Sequence, residues 1–355
     1  MSHVEPVQFD ALYTSRHTMP NAAARPGHDA TITHSDAYLL VEGRMKRSAS
    51  LVILTLLGVV LTAATYEARQ PRPEIHGIER VADNLYLLSN PPPPAEQSML
   101  TGGNTVAFVT TFGVVLVDTK LEGYGQDILD LVATVTDKPV TTIINTHTHF
   151  DHSGSNTEFP DTVEFVAHEN TRAQMARATC QPVTNCDAFK GENAKYLPTT
   201  TVTGRKSLFD GEDRVDLYYF GRGHTDGDTF VVFPAARTVH TGDMFQRLSL
   251  PFIDVANGNG SAVEFGSTLM RAVDGINNVD TVIAGHHTVT VSWDDFVNFS
   301  GFFNDVLAKA KQGMATGQTV EQVVNAYVKP DRFSDFQAPS RGVTTLVQNI
   351  YNESQ

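Results

Sequence analysis

From residue 81 onward the chain repeats one arrangement: a short apolar run, a Gly or polar break, then a stretch with helical spacing. Val81–Leu88, Thr105–Thr110 and Gly113–Asp118, rich in Val, Phe and Leu and broken by Gly, predict strands. Val140–Asn145, Phe165–Ala167, Val215–Phe220 and Thr229–Phe233 predict more. Asp127–Val135 predicts a helix, with Ile128, Leu129, Val132 and Val135 on one face and Pro139 just beyond. Glu169–Ala178 predicts a second helix. Ser261-x-x-Glu264 reads as a capping box opening a third, which runs to Val273. Strands and helices alternate in both halves, which predicts an α/β chain with two sheets sandwiched between helices.

The last third turns helical. Trp293, Phe296, Val297, Phe303, Val306, Leu307 and Ala310 fall on one stripe, read as core, with a pocket wall or a dimer contact as alternatives. Thr319-x-x-Gln322 opens a helix that stops before Pro330, and Val343, Leu346, Val347 and Ile350 mark a last one. We expect a catalytic domain over residues 70–300 and a helical extension, 301–355, packed on it; the helices after residue 291 are candidates to cap the site and set substrate size.

The N-terminus departs from this pattern. Arg44-Met45-Lys46-Arg47, an apolar run Leu51–Ala64 and small residues after it predict a secretory signal peptide over 45–66. The apolar run is 14 residues, short of the about 20 a membrane span needs, although Ser48–Tyr66 gives 19 uncharged residues and an uncleaved anchor is the alternative. Residues 1–44 are polar and aperiodic. They read as a disordered tail, or as an upstream extension if Met45 is the initiator.

Charge narrows the partners. A net charge of -14 over 355 residues disfavours nucleic acid, whose binding relies on Lys and Arg against phosphate, and leaves a small-molecule substrate as the expectation. Cys180 and Cys186 sit six apart. They form either a short disulfide loop, if the chain is exported, or two free thiols.

Candidate chemistry concentrates after the Val140–Asn145 strand, at His147-Thr148-His149-Phe150-Asp151-His152. Strand alternation would aim His147, His149 and Asp151 one way, with His152 swinging in from the Ser153-Gly154 turn. Imidazole and carboxylate are the ligands Zn²⁺ takes without thiolates. Four ligands so close diverge too much to close one site, so others must come from later strand ends. Three segments qualify: Gly221–Asp228, carrying His224; Val239–Asp243, ending on Asp243; and Val282–His287, ending on His286 and His287. Other nucleophile systems are poorly supported. Ser153-Gly154-Ser155 is not a Gly-x-Ser-x-Gly elbow, no Gly-x-x-x-x-Gly-Lys loop occurs, and Gly221-Arg222-Gly223 lacks the third Gly of a dinucleotide loop.

Over residues 75–300 these motifs, in this order, resemble the metallo-β-lactamase-fold hydrolases. The resemblance implies a four-layer αββα sandwich and a dinuclear zinc enzyme. One zinc would be held by His147, His149 and His224, the other by Asp151, His152 and His286. Asp243 would bridge them, Asp118 would support a ligand from behind, and Asp151 would handle a proton. The implied chemistry is attack by zinc-bound hydroxide on an ester, lactone, thioester or amide. Zinc β-lactamases usually carry Cys or Ser where this chain has Asp243, which tilts the reading toward a general hydrolase, while the stretch Gly223–Pro234 resembles the Cys-type lactamases. β-Lactamase-like activity, a mononuclear iron persulfide dioxygenase and a non-enzymatic binding protein of the same fold are the alternatives. The loops Leu248–Gly260, expected to be mobile, and Pro91–Gly103 are the candidates for contacting substrate.

Overall fold

Period-two alternation decides which layer each strand side chain enters. The computed structural model describes residues 72–90, 100–180 and 182–355. The extension 1–44, the signal or anchor segment 45–66 and most of the Pro91–Gly103 loop lie outside them.

Seven strands make the first sheet in sequential order: β1 (Gly77–Ala82), β2 (Leu85–Ser89), β3 (Thr105–Val109), β4 (Val114–Val117), β5 (Val140–Asn145), β6 (Glu164–His168) and β7 (Thr200–Val202). Pairing is antiparallel from β1 to β4 and parallel from β4 to β7. The second sheet comprises β8 (Arg205–Leu208), β9 (Val215–Tyr218), β10 (Phe230–Phe233), β11 (Thr238–His240), β12 (Thr281–Ile283) and β13 (Val291–Ser292), ordered β13-β12-β11-β10-β9-β8. Only β11 and β12 pair in parallel there.

Odd and even positions separate cleanly. Leu85, Leu87, Val106, Phe108, Val115, Val117, Ile144, Val166, Val215, Leu217, Val231, Phe233 and Ile283 form the core between the sheets. Their neighbours Leu88, Ala107, Val114, Leu116, Ile143 and Phe165 face outward, where Ile128 and Val132 of α1 (Gly125–Ala133) cover them. On the far side, Phe230, Val232, Val239 and Val282 meet helices α4 (Ala262–Gly275), α5 (Trp293–Ala315), α6 (Val320–Ala326) and α7 (Ser340–Glu353). The result is the expected αββα order with added C-terminal helices. The short helices α2 (Phe150–Ser153) and α3 (Glu169–Met175) follow β5 and β6.

Several local expectations change. Val81–Leu88 is not one strand: Asn84 adopts φ 60° and turns the chain between β1 and β2, a conformation Asn tolerates. α1 begins two residues earlier than its apolar spacing indicated, and α3 ends at Met175 rather than Ala178. Only half of the box at Ser261 forms. Its hydroxyl accepts from the Glu264 N–H (3.0 Å), but the Glu264 carboxylate turns to Arg222 (3.0 Å). Both halves form at Thr319 and Gln322.

The aromatic stripe of α5 is core. Phe296 and Phe303 are buried, joined by Phe299 and Phe302, which the stripe as read left out. Phe299 packs on Phe245 (4.6 Å) and Phe303 stacks on Phe265 (4.5 Å). α5 runs unbroken through residue 300, so the boundary drawn there divides a continuous helix. Among the described residues, no helix is long and apolar enough to cross a membrane.

Candidate metal centre

The ligand-type side chains converge on the loops at one end of the two sheets. His147 follows β5, His224 lies in the turn between β9 and β10, Asp243 sits on the turn Gly242–Phe245 after β11, and His286 follows β12. The strand geometry expected for the hexapeptide ends at Asn145. His149 (φ -63°, ψ 147°) instead leads into α2, so Asp151 and His152 leave from a helical turn. Asp151 and His152 reach one group with His286, while His147 and His149 reach another with His224.

Three buried groups result, each with its ligand atoms within 4.8 Å of one another: His147, His149 and His224; His147, His152 and Asp243; and Asp151, His152 and His286. Asp243 stands between the outer two. Its Oδ2 lies 3.5 Å from His224 Nε2, and its Oδ1 lies 3.3 Å from both His152 Nε2 and His286 Nε2. Asp151 Oδ2 is 3.4 Å from His286 Nε2 and 3.8 Å from His152 Nε2. Every ligand foreseen from sequence is thus in the cluster. His287 is not; its carbonyl accepts from Asn104 Nδ2 (2.6 Å). Two glycines make room: a Cβ on Gly285 would lie 2.1 Å from Asp243 Oδ1, and one on Gly103 2.2 Å from His152 Cε1.

Groups behind the rings fix which nitrogen faces inward. Asp118 Oδ2 accepts from His152 Nδ1 (2.7 Å), and the same carboxylate is held by the Thr146 N–H (2.8 Å) and hydroxyl (2.7 Å). His149 Nε2 donates to Asp254 Oδ2 (3.0 Å), and His224 Nδ1 to the Phe252 carbonyl (2.8 Å). Each ring therefore turns a lone pair to the interior. His149 Nδ1 and His224 Nε2 then face each other at 3.0 Å, acceptor to acceptor. His147 Nε2 and Asp243 Oδ1 are buried without a hydrogen-bond partner. Such atoms call for a cation, so these residues fit a metal site.

Electrostatics divides the centre. Burial holds His147 well below its ordinary range, helped by the neighbouring His152, His149 and His224. Burial also lowers His224 to about 4, against the pull of Asp243. At His152 burial acts the same way, but Asp243, Asp151 and Asp118 outweigh it and raise the ring well above 6.5. Asp243 is held well below its usual range: burial opposes ionisation, and His286, His152 and His224 override it.

Sequence reading missed three contributors. Asp254 and the Phe252 carbonyl belong to the loop expected to be mobile, yet that loop is laced in place. The Asp254 N–H donates to the His224 carbonyl (2.9 Å), Gly260 N–H to the Asp254 carbonyl (2.9 Å) and Ser261 N–H to the Gly223 carbonyl (2.9 Å). Lys120 is fully buried and donates to the Gly103 carbonyl (2.9 Å). Burial pushes it down to about 7 although Asp118 and Asp151 draw it up. Arg222, one of the cations nearest the ligands in sequence, is engaged with Glu264, Asn259 and Gly260. An exposed aromatic stands at the mouth: Phe252, 52% exposed, has its ring 5.9 Å from His224 and 6.3 Å from His149.

Comparisons with known proteins point to one superfamily. A metallo-beta-lactamase type 2 of Elizabethkingia meningoseptica is 25% identical over 225 residues, 61% of this chain and 80% of that protein. The 2,4-dinitroanisole O-demethylase subunit alpha of Nocardioides sp. (strain JS1661) is 33% identical over 109 residues, 30% of this chain and only 29% of that subunit. Among solved structures, a metallo-beta-lactamase from Pontibacter korlensis superposes with a TM-score of 0.52 at 17% identity, covering 64% of this chain and 98% of that one. The sequence profile of the metallo-beta-lactamase superfamily matches residues 100–291, more than half of the 355, and the chain belongs to that superfamily, a metal-dependent hydrolase fold.

Proposed function

We propose that the protein is a dinuclear zinc hydrolase that cleaves an ester, lactone, thioester or amide of a small molecule with an apolar or aromatic part. The observation that carries this reading is the pair of inward lone pairs on His149 and His224, 3.0 Å apart, with the unpartnered His147 Nε2 beside them. His147, His149 and His224 would hold one ion and Asp151, His152 and His286 the other, with a carboxylate oxygen of Asp243 toward each. When bound, such a pair supplies a hydroxide nucleophile near neutral pH and an electrophile for the oxygen that gains charge.

The chain's own groups do the rest. Asp118 and Asp254 keep His152 and His149 in the tautomers that present a lone pair. Asp151, buried in the second group with its Oδ2 3.4 Å from His286 Nε2, would take up a proton and return it to the leaving group. Phe252 gives the mouth an apolar surface that favours an aromatic or alkyl acyl portion.

β-Lactam hydrolysis is the second reading, favoured by the relative matched over 80% of its length. Export supports both. The basic-apolar-small pattern of residues 44–66 reads as a secretion signal, and the joined Cys180 and Cys186 suit an oxidising compartment.

The test is a hydrolysis screen of zinc-loaded protein over aryl esters, thioesters, lactones and a chromogenic lactam, repeated after phenanthroline. We expect cleavage of at least one ester-type substrate and its loss on chelation. Hydrolysis unaffected by chelation contradicts the proposal, and hydrolysis of the lactam alone transfers it to the second reading.

A further inference from the structure

The turn closed by the Cys180–Cys186 disulfide lies directly against the ligand segment. Thr184 faces His149 in an isolated antiparallel bridge. The Phe150 N–H donates to the Val183 carbonyl (3.1 Å), and the Asn185 N–H to the Thr148 carbonyl (3.1 Å). Asn185 Nδ2 donates to both the carbonyl and the hydroxyl of Ser153, at 3.0 Å each. The turn thus grips the backbone on both sides of His149 and at the end of α2, the helix that carries Asp151 and His152.

Two further features suit a built clamp. Val183 adopts φ 62°, a left-handed conformation that a β-branched residue avoids. Such backbone is kept where the surroundings demand it, and here it aims the carbonyl at Phe150. The turn is also anchored at its far end: Cys186 is fully buried, and its carbonyl accepts from the N–H of Phe189, a core residue (3.2 Å). On the near side, Gln174 and Arg177 donate to the Gly258 (3.0 Å) and Asn257 (2.7 Å) carbonyls, in the loop that supplies Asp254.

We propose that Val183, Thr184 and Asn185 are positioning residues for the metal ligands, and that the Cys180–Cys186 bond holds them to that task. Opening the bond lowers the affinity of the centre for zinc. Reduction adds two electrons and two protons, gives two thiols and oxidises an added dithiol or phosphine in return. Free to spread, the turn no longer fixes the backbone of residues 148–153, and His149, Asp151 and His152 must be ordered by the ion itself. The inference rests on the metal-centre reading only in that zinc is the ion bound.

The experiment compares zinc affinity, by chelator competition on the full chain, for wild type, the C180S/C186S double variant and Asn185→Ala, which keeps the disulfide. Leu346→Ala in α7, remote from the turn, serves as a variant that weakens the fold alone. Zinc binds about tenfold more weakly to the double variant and to Asn185→Ala, as for other supports of metal ligands. Leu346→Ala lowers the unfolding temperature and leaves zinc affinity unchanged. Cobalt-loaded double variant shows an altered visible spectrum, which a purely structural disulfide would not produce. Should the double variant not fold, wild type treated with phosphine and Asn185→Ala carry the comparison. Equal zinc affinity in wild type and Asn185→Ala overturns the inference alone. A wild type that binds no zinc overturns this inference and the proposed function together.

Discussion

The two halves of the candidate metal centre are built from the same residue types and prepared in opposite ways. His147, His149 and His224 are buried among one another, and burial keeps His147 and His224 neutral. His152, in the other half, is surrounded by Asp118, Asp151 and Asp243 and holds its proton well above 6.5. The first group is ready for a cation as it stands. The second must exchange a proton for one. The contrast teaches that carboxylates near a ligand have two effects: they raise its basicity toward the metal, and they make the proton a stronger competitor.

Removing a ligand gives the largest effect. His147→Ala abolishes turnover, by on the order of a thousandfold or more, because His147 lies in two of the three ligand groups; retained hydrolysis would move the site elsewhere. Next come the supporting acids, each worth about 10–100-fold in metal affinity. Asp118→Asn weakens the ion at His152, and Asp254→Asn the ion at His149, as read by metal stoichiometry at limiting zinc. If both variants lose the same ion, the division into halves is wrong.

A smaller effect comes from pH. The raised value of His152 stabilises the metal-free fold below 6.5, and that contribution is lost as pH rises through its folded value. Zinc competes with this proton, so affinity of the second half rises as pH climbs above 6.5, while the first half changes less. His224 has the opposite sign. Below 6.5 the unfolded chain takes a proton the fold refuses, so stability falls as pH drops from 6.5 toward about 4. Zinc titrations at several pH values check the first statement, and thermal unfolding of metal-free protein the second. The smallest effect belongs to the mouth. Phe252→Ala keeps the carbonyl that orients His224, so KM for an aryl ester rises roughly fivefold, about 1 kcal/mol, with little change in kcat or zinc content.

What the sequence made legible follows from the range of each contact. The faces of β2 to β6 follow from alternation, and the ligands stand out because strand ends carry His and Asp in a fixed order. Asp254 could not be found this way. It meets His149 across 105 residues, from a Gly- and Asn-rich run that reads as a loose loop. Lys120 was missed for a related reason: a Lys just past a strand reads as solvated, and only the packing of Gly102 and Asp151 around it shows it is buried. β7, β8 and β13 escaped because they are two to four residues long and partly polar, and neighbouring strands make them.

The central claim is a two-metal centre that performs hydrolysis, and metal content measured alongside activity tests it most directly. Purified protein should carry two zinc ions per chain, lose hydrolysis in step with their removal and recover it when zinc is returned. One iron per chain, or full hydrolysis in protein stripped of metal, would contradict it.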